Sequence, residues 1–230
     1  MRRYVNEAEA PRHYIDIDAY GENAFDSIPR NWQSAVKKYS EDTLHKYGIV
    51  PWHINKVIFL LTEAFTEKNV KKILKYSTDL GHYIADSNVP LHTTINYNGQ
   101  FTGQNGIHSF WETRLPELFI EDYNFFVGQA EYHDYPLQTV WNGIIQAHQA
   151  LDSVFRFEKE LTQNFKESKK YGFQERGQNL TRDYSYEFSK AYHDKLNGMV
   201  ERQMKASIKM LGDFWFTCWV NAGQPNLKAI

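Results

Sequence analysis

The chain has almost no cysteine: Cys218 is the only one in 230 residues. That excludes a disulfide within the chain and any metal site built from thiolates, so a bound metal would rest on His, Asp and Glu. In DFWFTCWV, Cys218 reads as a small buried hydrophobe. There is no excess of charge either. The 26 basic and 28 acidic residues nearly cancel, which argues against an extended basic footprint for duplex nucleic acid. Long apolar runs are missing, so a transmembrane helix is not expected. The first residues, MRRYVNEAEAPRHYIDID, lack the apolar stretch and cleavage site of a secretory signal. No Ser/Gly/Pro-rich linker divides the chain, and at this length with 42% hydrophobic content one domain spanning residues 1–230 is expected.

What is present reads as helix. Asn31–Tyr39 is a short candidate. Pro51–Lys68 is stronger, with Pro51 in the first turn and Trp52, Val57, Leu60, Leu61, Ala64 and Phe65 near a helical repeat. Asn69 is placed to cap a further helix, striped by Val70, Ile73, Leu74, Leu80, Ile84 and Ala85. Residues 90–106 are rich in Asn, Gly, Thr and Gln and read as a loop. Helix is expected again from Ile107 to about Leu115, where Pro116 follows and a turn or second short helix begins, then over Leu137–Phe165 and Thr181–Ala222, with Gly223 and Pro225 as stop signals.

The chemistry is concentrated in Leu80–Leu115, LGHYIADSNVPLHTTINYNGQFTGQNGIHSFWETRL, which holds three of the nine histidines. His82 and Asp86 are four apart, as are His108 and Glu112. Residues four apart share one helix face, so each pair can present an imidazole nitrogen and a carboxylate oxygen to one point. His92 stands just past Pro90, where a loop could return it to the same region. This pattern predicts a metal-binding core. Capping or surface contacts are the alternative reading of such pairs. His148 and Asp152 have the same spacing without further ligands nearby, and read as a surface contact. His45, His53, His133 and His193 are isolated and receive no chemistry.

The segments GHYIADSNVPLH and GIHSFWE resemble the zinc-dependent phospholipase C and single-strand-specific nuclease superfamily, whose motif is His-x3-Asp-x5-His followed by His-x3-Asp or His-x3-Glu. The upstream PRHYIDID is similar to the family's His-aromatic-x-Asp segment. The resemblance implies an all-α, single-domain, multi-helix bundle of that type. It implies one zinc on His13, His82 and Asp86, a second on His92, His108 and Glu112, and Asp16 as a nearby active-site carboxylate. In the family Asp86 also reaches a third zinc, whose other ligands include an N-terminal Trp, an early His and an Asp. None of the twelve residues before His13 is Trp, His or Asp, so the expectation is a start downstream of the natural one, with the first zinc completed by water, Glu7, Glu9 or Glu22. Export to the periplasm or medium is expected of the complete family protein, although this chain shows no signal sequence.

Two zinc dications outweigh the charges of Asp86 and Glu112, which favours an anionic phosphate ester as substrate. Zinc lowers the pKa of bound water to around 7, so hydroxide would attack phosphorus in line. Asp16 could orient that water or a ligand imidazole. Tyr14 offers an aromatic face to a nucleobase, or is core packing; the loop near residues 96–106 offers a lip to a lipid head group, or is simply exposed. Because Glu112 rather than Asp closes the second motif, as in the bacterial phospholipases, the sequence is read as a phospholipase C-like phosphodiester hydrolase. The alternatives are a single-strand nuclease or nucleotidase, a zinc-stabilised helical protein without turnover, and a metal-free helical interaction domain.

Overall fold

The computed structural model describes residues 8–176 and 179–229. Glu7, one of the carboxylates considered for the first zinc, lies outside them. The described chain is mostly helical, with one two-stranded sheet. None of its helices is long and apolar enough to cross a membrane.

Local chemistry accounts for most helix starts. Asn31 accepts the Ser34 N–H at 3.0 Å and opens Trp32–Tyr39; Asn69 accepts the Lys72 N–H at 3.1 Å and opens Val70–Ser87. Each cap satisfies a donor that the first helical turn cannot pair internally. Pro51 sits in the first turn of Val50–Thr66, where its missing N–H costs nothing. Val50–Thr66 and Val70–Ser87 pack on each other, and the last helix, Met199–Asn221, packs on both.

Two apolar clusters form. Ile54, Leu61, Leu80, Ile84, Trp141 and Phe214 belong to the first, while Leu91, Ile107, Phe110, Trp111, Val154 and Tyr192 belong to the second. Burying each large side chain contributes on the order of 1.5–3 kcal/mol. The segment from Leu80 to Leu115 therefore starts in one cluster and ends in the other. Its two His/carboxylate pairs ride on elements anchored in different cores.

The expected Leu137–Phe165 helix is two helices, Pro136–Gln149 and Leu151–Asn164. The two meet at Ala150; Trp141 and Ile144 of the first are buried in the first cluster, and Val154 of the second in the other. The expected Thr181–Ala222 helix is corrected further. Asn179–Tyr184 is a strand paired antiparallel with Tyr171–Arg176, with Tyr171 opposite Tyr184 and Phe173 opposite Arg182. Helix begins only at Tyr186, where Ser185 caps it, and is interrupted at Asn197 and Gly198, which both adopt positive φ. Aromatic and β-branched residues across the ladder outweigh the helical periodicity seen at Thr181.

Helix resumes at Ile107, and the second short helix, Leu115–Phe119, follows it without a gap. The run 107–119 stays helical through a π turn at Phe110–Arg114, in which the Leu115 N–H reaches the Phe110 carbonyl. In a regular helix the Pro116 ring would clash with the carbonyl of residue 112. The widened turn accommodates it, and Glu112 lies inside that turn.

Gly48 holds the N-terminal segment in place. Its φ is +91°, and a Cβ there would collide with the backbone and ring of Tyr14. Ile49 N–H donates to the Pro11 carbonyl at 2.7 Å, and Asp16 N–H to the Tyr47 carbonyl at 2.7 Å. Gly48→Ala is expected to destabilise the fold by roughly 1–3 kcal/mol from backbone strain, before any cost of the collision. Urea denaturation would show it as a lower midpoint.

Candidate metal centre

Six of the residues picked out from the sequence come together as two triads. In the first, His13 Nδ1 lies 2.7 Å from Asp86 Oδ2 and 3.0 Å from His82 Nε2, and His82 Nε2 lies 3.3 Å from Asp86 Oδ2. In the second, Glu112 Oε2 lies 2.7 Å from His108 Nε2 and 3.4 Å from His92 Nε2. Both triads could hold a metal ion, each residue offering one ligand atom.

Separate elements build them. His82 and Asp86 are one turn apart near the end of Val70–Ser87, and His108 and Glu112 one turn apart at the start of 107–119. His13 ends the short turn Ala10–His13, and His92 lies in the Pro90–Thr93 turn directly after the first pair's helix. The Ile15 N–H donates to the His92 carbonyl at 3.0 Å, and His92 Nδ1–H donates to the His13 carbonyl at 2.6 Å. These two hydrogen bonds lace the His13 segment to the turn that carries His92. The triads are thereby neighbours.

The same hydrogen bonds set the imidazole tautomers. His92 donates from Nδ1 to the His13 carbonyl and His108 donates from Nδ1 to the Tyr97 carbonyl at 3.2 Å. In both rings Nε2 is the atom left to face Glu112. His92 Nε2 is buried, and its contact with Glu112 Oε2 is long, at 3.4 Å.

Charge favours a cation here. Burial alone would raise the pKa of Glu112, but His108 and His92 outweigh it and hold the carboxylate well below the usual range. Burial disfavours the charged form of His92, yet Glu112 and Asp86 outweigh it and raise its pKa. A metal bound to these groups would take the place of any protons they carry.

A cavity of about 280 Å³ opens onto both triads, lined by His13, Tyr14, Asp16, His92, Tyr97 and His108 among others. Asp16 is pushed up to about 7, chiefly by burial and then by Asp18. Tyr14 lines this cavity with its hydroxyl donating to the Lys46 carbonyl at 3.2 Å. On another side, Asp86 and Glu112 border a groove of about 270 Å³ whose walls include Val89, Trp111, Val200, Met204 and Ile208.

The remaining sequence candidates separate cleanly. Glu22 is exposed and belongs to neither triad. Glu9 does approach, but at the other nitrogen of His13, 3.7 Å from Nε2. His148 and Asp152 do not meet as a ligand pair: His148 Nδ1–H donates to the Thr93 carbonyl at 3.1 Å, and Asp152 accepts from Arg156 at 3.0 Å. Sequence reasoning gave no role to Asp18 or Tyr83. Asp18 accepts from the Thr94 hydroxyl and the Ile95 N–H, fixing the loop beside the cavity. Tyr83 donates its hydroxyl to Glu9. Neither contact has a spacing signal, since each joins residues more than seventy positions apart.

No family model, curated protein or solved structure matches the chain.

Proposed function

We propose that this chain is a zinc-dependent phosphodiester hydrolase of the phospholipase C type, and the observation that carries the reading is the pair of adjoining triads, each of two imidazoles and one carboxylate, beside one cavity. Two imidazoles per carboxylate suit zinc better than calcium or magnesium, which take mainly oxygen ligands. Ligands about 2.0–2.1 Å from a tetrahedral ion are separated from each other by about 3.3 Å. The separations of 2.7–3.4 Å fit after small adjustments. The buried Nε2 of His92, held only by a long 3.4 Å contact to Glu112, suits such an ion.

Zinc held in these triads supplies Lewis acidity toward a phosphoryl oxygen and lowers the pKa of water to near neutrality. The chain's own residues do the rest. Asp16, poised near 7, can hold or pass a proton at its carboxylate within the cavity. The carbonyls of His13 and Tyr97 keep His92 and His108 aimed. Tyr97 and Ile95 border the same cavity and can exclude water from one flank.

The apolar groove along Asp86 and Glu112 favours an ester with an apolar organic part, which supports the phospholipase reading over the nuclease one. Purified protein is expected to carry two zinc equivalents by elemental analysis and to hydrolyse a generic phosphodiester and phosphatidylcholine faster than single-stranded DNA. Absence of zinc overturns the reading. Zinc with no turnover on any of the three leaves a metal-stabilised helical protein, and preference for DNA selects the nuclease.

A further inference from the structure

Only one of the two His13 nitrogens faces the first triad. Nδ1 is the atom close to Asp86 and His82; Nε2, on the opposite edge of the ring, is buried and lacks a hydrogen-bond partner. This reverses the arrangement in the second triad. There His92 and His108 meet Glu112 through Nε2, and each donates its Nδ1–H to a backbone carbonyl. A ligand imidazole needs such an acceptor on its far nitrogen, which fixes the tautomer and raises the basicity of the ligating atom. For His13 that acceptor must lie beside Nε2.

Glu9 stands there. Its Oε1 is 3.7 Å from His13 Nε2, four residues upstream on the same turn. The carboxylate is 7% exposed and is held at both oxygens: Oε1 accepts from the Tyr83 hydroxyl, and Oε2 accepts from Arg12 Nη1 at 2.7 Å. Tyr83 follows His82 directly in the sequence, and its ring packs against the His13 ring with centroids 5.3 Å apart. The helix that supplies two ligands of the first triad thus also supplies the hydroxyl that fixes Glu9. Hydrogen-bond contact with His13 requires closing the gap by about 0.8 Å.

Resting on the metal reading above, we propose that Glu9 is a positioning residue for the first triad: it accepts the Nε2–H of His13, so that the Nδ1 lone pair faces the ion shared with His82 and Asp86. Tyr83 and Arg12 hold the carboxylate for that purpose. Glu9 acts through His13 and not as a ligand itself.

The test is a competition titration of the full chain with zinc and a chromophoric chelator, followed by saturation with cobalt. Wild type is titrated first, and a wild-type chain that binds no metal overturns the metal reading and this inference with it. Given two wild-type sites, Glu9→Gln is expected to weaken one zinc equivalent by about ten- to a hundredfold and leave the other unchanged. Saturated with cobalt, it is expected to show the wild-type visible spectrum, since no ligand is removed. Tyr83→Phe, which removes only the hydroxyl, is expected to weaken the same equivalent by about three- to tenfold, and it carries the test if Glu9→Gln does not fold. Wild-type affinity at both sites in whichever variant folds overturns the proposal, as does equal weakening of both. A changed cobalt spectrum places Glu9 on the metal and also overturns it.

Discussion

His92→Ala is expected to lower phosphodiester turnover by about 10²–10³-fold and to reduce bound zinc from two equivalents to one. His92 supplies one of three ligand atoms in the second triad, at Nε2, while its Nδ1–H is tied to the His13 carbonyl at 2.6 Å. Truncation removes a ligand and cuts one of the two hydrogen bonds lacing the His13 segment to the Pro90–Thr93 turn. It also leaves Glu112 with His108 as its single imidazole partner in the triad. The control is His148→Ala, at a half-buried histidine that has an aspartate four residues later. It lies outside both triads and is expected to keep two zinc equivalents. Steady-state kinetics and elemental analysis on both variants check the pair, and a His92→Ala protein with full turnover and two zinc ions would sink the assignment.

Lys170→Met is expected to cost about 3–5 kcal/mol of stability, because it strands a buried carboxylate. Glu158 is 1% exposed. Its Oε1 accepts from Lys170 at 2.9 Å and from Thr162 at 2.8 Å, and its Oε2 accepts from Gln104 at 2.6 Å. Without the ammonium, two neutral donors must support a full buried charge. Adding Glu158→Gln is expected to restore most of the loss, since an amide keeps an acceptor and carries no charge. Denaturant midpoints of the wild type, both single variants and the double variant measure the coupling. Additive effects would show that the charge pair is not what holds the Leu151–Asn164 helix to the strand that follows Lys170.

Residue patterns predicted helix where the signal is local. Asn31, Pro51 and Asn69 mark helix starts because capping and first-turn geometry depend on a handful of adjacent residues. The failures are long-range. Nothing within Leu137–Phe165 marks a break at Ala150, where two halves meet that bury their apolar faces in different clusters. Thr181–Tyr184 looked helical until Tyr171–Arg176 was available to pair with it. Pro116 read as the opening of a turn or second short helix, and the π turn at Phe110–Arg114 joins that helix, Leu115–Phe119, to the one before it.

The sequence by itself determined that any metal would rest on imidazoles and carboxylates, since one cysteine is too few and the pairs His82/Asp86 and His108/Glu112 are set by helix pitch alone. Spacing could not say how many ions those pairs serve. Tertiary structure sorted the pairs into two separate triads, by folding the turn at Pro90–Thr93 so that His92 meets Glu112, and by hydrogen-bonding the His13 segment to that turn so that His13 meets Asp86. Glu9 illustrates the same division. The sequence offered it only as one of several carboxylates for the first zinc, and packing against Tyr83 and Arg12 settled which nitrogen of His13 it faces. Helical pitch is a property of neighbours in the chain, whereas the side of an imidazole that is left for a metal depends on what the rest of the fold brings to the other side.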